Sequence, residues 1–226
     1  MPVQKTQTSS LISMVGIVLL VLLINGAIGY FGLRYVDLKY AELMQRVNLL
    51  TEATDLSREA QVHFKVQVQE WKNLLLRGQD GHNLASYRDA MLAQASQVQE
   101  ALRRLGVQST VLKLDAEAAL IAKLISDHQK MLAVYQKELQ ALPPDTFLNA
   151  LKLDRAVRGI DRPLNNAIDQ LAQRFKELAH AQRQAAAEQS QKTIETVRRV
   201  MMVGTALAVA VLMLMLGLVI RKNRGL

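Results

Sequence analysis

Two long apolar runs, one near each end of the chain, constrain what it can fold into more than anything between them. Residues 11–33 hold no charge in 23 positions, and residues 201–220 hold none in 20. A bilayer core takes about 20 apolar residues of helix to cross, and inside it every backbone polar group must be paired within the segment. Both runs therefore read as transmembrane helices. The first exceeds the roughly 7–15-residue apolar core of a cleaved leader, and no small-residue cleavage site follows it, so it reads as a retained anchor.

Two spans put both termini on one side. The short ends carry Lys5, Arg221, Lys222 and Arg224 and no acid, which by the positive-inside bias makes them cytoplasmic. The expected layout is a two-pass membrane protein: a stub at 1–10, a span at 11–33, an extracytoplasmic segment at 34–199, a span at 201–220 and a stub at 221–226. Of 28 cations, four lie on the stubs, which leaves 24 against 20 acids in the outer segment. That modest excess of +4, spread along long helices, is no nucleic-acid footprint, although it allows a weak preference for anions. With no cysteine in the chain, a disulfide framework and a thiolate metal site are excluded.

The outer segment has helical periodicity and few breakers. Val36, Tyr40, Leu43, Val47, Leu50, Thr54, Ser57, Gln61, Phe64, Val68, Trp71 and Leu75 keep an unbroken heptad spacing, the signature of a helix facing a core. This first helix is expected to end near Arg77, where Gly78 begins a run of turn residues. A second, short helix is marked by Tyr87, Met91, Gln94, Val98, Ala101 and Leu105, with Gly106 as its stop and Ser109 and Thr110 as the next start. The third seam runs from Leu114 through Ile121, Ile125, His128 and Tyr135 to Leu139 and stops at Pro143–Pro144, which cannot continue a helix. Residues 145–158 are helix-compatible, but Gly159 and Pro163 interrupt them, with Asp161 at a capping position. A fourth helix then runs through Leu164, Ile168, Leu171, Phe175 and Leu178 without a breaker into the second span. Glu42–Arg46, Glu188–Lys192 and Glu195–Arg199 have the spacing of stabilising surface pairs. The expected fold is all-α: a membrane-anchored, antiparallel up-down-up-down four-helix bundle flanked by two transmembrane helices.

No phosphate-binding glycine loop, metal-spaced histidine pair or nucleophile elbow is present, so the reading is of a non-enzyme with no catalytic residue, metal or cofactor. His128 reads as a hydrogen-bonded core or boundary residue, the alternative being a ligand contact or pH sensor; Trp71 as core packing, the alternative being a ligand platform; and Thr54, Ser57 and Gln61 as a polar layer that sets register, the alternative being a ligand crevice or dimer seam. Arg58, Lys65 and Lys72 recur every seven residues, as either a solvated flank or an anion-binding surface. At about 1.5 Å per residue, Lys72 and Arg162 both fall roughly 58 Å from the membrane. Arg58, Lys65, Lys72, Arg158 and Arg162 are accordingly the candidate contacts for a small organic anion, an amino or carboxylic acid.

Two stretches carry a family likeness: Gln67-Val-Gln-Glu-Trp-Lys-Asn-Leu-Leu-Leu-Arg-Gly78, and Val157-Arg-Gly-Ile-Asp-Arg-Pro163. With the order span, bundle, span, the sequence resembles the amino-terminal part of bacterial methyl-accepting chemotaxis receptors with a four-helix-bundle sensor domain. The resemblance implies a homodimer, with membrane lipid as its other partner, that binds a small extracytoplasmic ligand and passes a slight helix shift through the second span. Such receptors continue into a cytoplasmic signalling coiled coil, whereas this sequence stops at Leu226, which leads to the expectation of a sensor module without a signalling domain. A structural helical tether and the sensor portion of a histidine kinase are the competing readings. Nucleic acid is not an expected partner.

Overall fold

The computed structural model describes residues 3–78, 81–141 and 150–224. Among them, all regular structure is helical: α1 Val3–Arg77, α2 Gly81–Val111, α3 Asp115–Gln140, α4 Ala150–Val157 and α5 Arg162–Arg224. The expected stop at Pro143–Pro144, the turn residues Gln79 and Asp80 and the start of the 145–158 segment lie outside the described residues. The chain divides into two compact units, unit 1 comprising residues 1–44 and 184–226 and unit 2 comprising 45–183.

Unit 1 holds the apolar parts of α1 and α5, the two helices that are long and apolar enough to cross a membrane. Leu19, Leu22, Leu23 and Phe31 on one and Leu207, Leu214 and Leu218 on the other are exposed. The two helices approach at glycines. A Cβ on Gly32 would meet Val197 Cγ1 at 2.9 Å, and one on Gly204 would meet Asn25 Oδ1 at 2.9 Å. Small residues permit this close approach of two helix backbones. Glu195 pairs with Arg199 at 3.6 Å as expected, but Glu42 turns to Lys39 at 2.8 Å instead of to Arg46.

Unit 2 packs the remaining length of α1 against α2, α3 and α5. Gln108 of α2 donates to the Leu49 carbonyl at 3.1 Å, and Gln94 meets His63 at 2.7 Å, so α2 runs opposite to α1. Thr51 with Arg183 at 2.9 Å and Gln61 with Asp169 at 2.6 Å give α5 the same opposed direction. Phe64 beside His128 and Trp71 on Tyr135 show α3 running with α1.

The buried face of α1 differs from the expected seam. Leu50, Ala53, Ser57, Ala60, Phe64, Gln67, Trp71 and Leu74 are all at most 4% exposed, while the expected seam members Gln61 and Val68 are only half-buried. Both tracks share Leu50, Ser57, Phe64 and Trp71. Thr54 and Leu75 are buried as read, but the positions one residue earlier, Ala53, Ala60, Gln67 and Leu74, are buried more deeply; Ala53, Ala60 and Gln67 carry a weaker apolar signal than Val68 or Leu75. Packing against several helices buries a stripe wider than one heptad seam.

The end of α2 is also corrected. Gly106 does not stop the helix but sits against Ile121 with room for contact at 3.5 Å, and α2 continues to Val111. Ser109 and Thr110 do not cap a new helix; their hydroxyls donate back to the carbonyls of Leu105 at 2.8 Å and Gly106 at 3.1 Å. The chain turns at Lys113, whose φ is 58°. Lys113 N–H reaches the Thr110 carbonyl at 3.0 Å and Leu114 N–H the Ser109 carbonyl at 2.9 Å. This pair of bonds is the Schellman closure that glycine normally makes. A side chain in that left-handed conformation costs about 1–2 kcal/mol. Lys113→Gly should therefore stabilise the protein by about 1 kcal/mol, read as a raised denaturation midpoint of the full chain in detergent; an unchanged or lowered midpoint speaks against this backbone.

The interruption before α5 follows expectation. Gly159 adopts a φ of 78°, and the Asp161 carbonyl accepts from Asn165 N–H at 2.8 Å, one residue before α5 begins.

Candidate functional site

Three helices of unit 2 place polar side chains in the core. On α3, His128 and Tyr135 are seven residues apart and thus share a face; both are buried. His128 Nε2 lies 2.7 Å from Gln67 Oε1 of α1, and its Nδ1 lies against Gln99 Nε2 of α2 at 2.5 Å. The amide orientations make His128 a neutral ring that donates from Nε2 and accepts at Nδ1. Burial pushes its pKa down to about 4, because the charged form would be stripped of water. Gln99 also donates to the Ile125 carbonyl at 3.3 Å, whereas Gln67 Nε2 is buried without a hydrogen-bond partner among the described residues. One heptad further along, the rings of Trp71 and Tyr135 stack 4.2 Å apart at 10°. Burial, reinforced by the Asp161 carboxylate, pushes the Tyr135 hydroxyl above its ordinary range.

This layer is buried and neutral, and its chemistry is that of a register-setting network. His128 and Trp71 are core residues, as read. The polar residues of α1 divide. Thr54 and Ser57 bond their own helix, to the Leu50 carbonyl at 2.8 Å and the Thr54 carbonyl at 2.7 Å, while Gln61 reaches across to Asp169.

Asp169 is the main polar node between α1 and α5. It accepts from Gln61 at 2.6 Å and from Asn165 at 3.2 Å, and it pairs with Lys65 at 3.1 Å. Burial pushes its carboxyl pKa up, but these three hydrogen bonds and the Lys65 charge outweigh that and hold it below the usual range. A second tie joins Arg174 of α5 to the nearly buried Glu117 of α3 at 3.1 Å.

The five candidate cations fall into two groups. Lys65 is engaged by Asp169, and Arg158 by Asp154 one helical turn before it. Arg58, Lys72 and Arg162 are exposed and have no side-chain hydrogen bond or ion pair among the described residues. Lys72 is seven residues beyond Lys65, and Arg162 seven before Asp169. Since α1 and α5 run in opposite directions, both stand one heptad, about 10 Å, further toward the Arg77 end of α1. A separate cleft of about 350 Å³ lies between α2 and α3, lined by Leu84, Arg88, Leu92, Gln136, Leu139 and Gln140. Its arginine is held by the neighbouring Asp89 at 3.0 Å.

Sequence reasoning missed Gln67, Gln99 and Asp169 as polar anchors. Gln67 was detectable as a member of the Ala53, Ala60, Gln67, Leu74 heptad track.

Fold and polar architecture define an all-helical protein with two helices able to cross a membrane and a helical unit braced by buried amides. No family model matches the chain, and no solved structure gives a significant match. The methyl-accepting chemotaxis protein CtpH of Pseudomonas aeruginosa is 31% identical over 169 residues, which is 73% of this chain. Over those residues the chain is a homologue of that methyl-accepting chemotaxis protein. It spans 28% of the length of that curated relative.

Proposed function

We propose that the chain is the sensor module of a chemoreceptor in a bacterial inner membrane. Residues 34–199 form a periplasmic, antiparallel up-down-up-down four-helix bundle, residues 11–33 and 201–220 cross the membrane, and both termini are cytoplasmic. The module works as a homodimer and does no catalysis. The observation that carries this reading is the homology to a methyl-accepting chemotaxis protein over 73% of the chain. The opposed directions of α1 and α5, and the unbroken run of α5 from Arg162 to Arg224, support it. Ligand binding slides α5 slightly along its axis, a motion that packed helices accommodate.

The ligand is a small organic anion, an amino or carboxylic acid, held near the distal end of α1. Lys72 and Arg162 are its main contacts, because neither is neutralised by a protein acid and both follow one heptad step from the Lys65–Asp169 pair. Arg58 is equally free but lies one heptad on the other side of Lys65. Lys65 and Arg158 join only by leaving Asp169 and Asp154. Arginine can grip a carboxylate bidentately.

A thermal-shift screen of the full chain in detergent against small acids tests this. A ligand at 100 times its dissociation constant should add about 2.7 kcal/mol of stability, and Lys72→Ala and Arg162→Ala should each remove most of that gain. A shift untouched by both substitutions rejects these contacts, and hits confined to neutral or cationic compounds reject the anion class.

A further inference from the structure

Unit 1 carries a groove of about 980 Å³ between α1 and α5 that sensing does not use. Its walls are apolar, including Val36 on α1 and Val197, Met201, Ala206 and Val209 on α5; Arg198 is its one charged lining residue. The Arg198 guanidinium has no hydrogen bond or ion pair among the described residues, whereas its neighbour Arg199 is engaged by Glu195.

The dimensions identify an occupant. Arg198 stands three residues before the charge-free run that begins at Met201, about 4.5 Å by helical rise, which is headgroup level. From Arg198 to Val209 is eleven residues of α5, about 16 Å, and one leaflet is half of a roughly 30 Å hydrocarbon core. The groove thus has a lone cation at its mouth and the depth of one acyl chain below it.

We infer that this groove binds an anionic phospholipid, one acyl chain lying along α5 and the phosphate on Arg198. A second copy of the chain seated there would bury an unpaired guanidinium, which is costly; a lipid phosphate supplies the missing partner. The inference rests on the membrane-spanning part of the reading above and not on ligand sensing. A chain that retained the lipid but responded to no small anion would leave it standing.

The test is native mass spectrometry of the full chain, purified in detergent and given equal amounts of phosphatidylglycerol and phosphatidylcholine. The unaltered chain should retain phosphatidylglycerol about fivefold over phosphatidylcholine, the effect of one cation near a lipid surface. Arg198→Gln should bring that ratio to about one, while Arg199→Gln leaves it in place. Ala206→Trp, at an exposed position on the groove wall, should fill the groove and lower retention of both lipids without touching the charge. The inference is overturned by a ratio near one in the unaltered chain, by a preference that survives Arg198→Gln or falls equally in Arg199→Gln, or by retention undiminished in Ala206→Trp. A lipid-free dimer that Ala206→Trp splits into monomers would also overturn it, assigning the groove to a second copy.

Discussion

Trp71→Ala should lower stability by about 3–5 kcal/mol, the usual cost of emptying a large aromatic site in a packed core. Trp71 is 3% exposed, belongs to the main core cluster, and stacks on Tyr135 at 4.2 Å; such pairs add about 0.5–1.5 kcal/mol beyond area burial. Because Trp71 is the single tryptophan, the variant has no tryptophan fluorescence, and helicity by circular dichroism against denaturant is the readout for the full chain in detergent. Trp71→Phe should recover more than half of the loss by keeping a ring against Tyr135. A cost below about 1 kcal/mol for the alanine variant would mean that this ring is not packed as described.

Acid should destabilise the protein through His128, in a pH window where carboxylates contribute little. The folded pKa is lowered to about 4 from an ordinary 6.5, so between these values the unfolded chain binds the additional proton. The stability contributed by the neutral buried ring is complete above pH 6.5 and is lost as the pH falls to about 4, a total of roughly 3 kcal/mol. His128→Leu should be less stable at pH 7, because Gln67 and Gln99 lose their shared partner, yet its melting temperature should change less between pH 6.5 and 4. The other three histidines are common to both proteins, so the difference in slope isolates His128. Parallel melting curves across that window would refute the assignment.

The helices were legible in the sequence where a backbone requirement and the side-chain pattern agreed. Gly78 and the heptads before it put the end of α1 at Arg77, and Gly159 and Pro163 located the break before α5. The end of α2 was not legible because its signals pointed the wrong way. Gly106 resembled a stop, Ser109 and Thr110 resembled caps, and the actual turn is made by a lysine in a conformation that favours glycine. The site was half legible. His128 and Trp71 were recognised as core residues from their place on a heptad, and Tyr135, on which Trp71 stacks, lay on the third seam, but Gln67 and Gln99, the partners of His128, lie beside the apolar seams, where a two-sided reading ignores them. The cations were found by spacing alone, and spacing does not reveal that an acid on another helix, as at Lys65, already holds one of them.

The sequence separations of the helix contacts give the unit a built-in order of assembly. Gln99 and His128 are 29 residues apart, and the α2–α3 connection is only the turn at Lys113. Gln61 and Asp169 are separated by 108 residues, and Thr51 and Arg183 by 132. The entropy of closing a loop grows with the logarithm of its length, and contacts between near neighbours form faster than distant ones. A formed α2–α3 hairpin takes residues 81–140 out of the loop that the α1–α5 contacts must close. The α1–α5 contacts, the most distant in sequence, then have a shorter effective loop to close, and the Schellman turn at Lys113 is the connection on which that shortening depends.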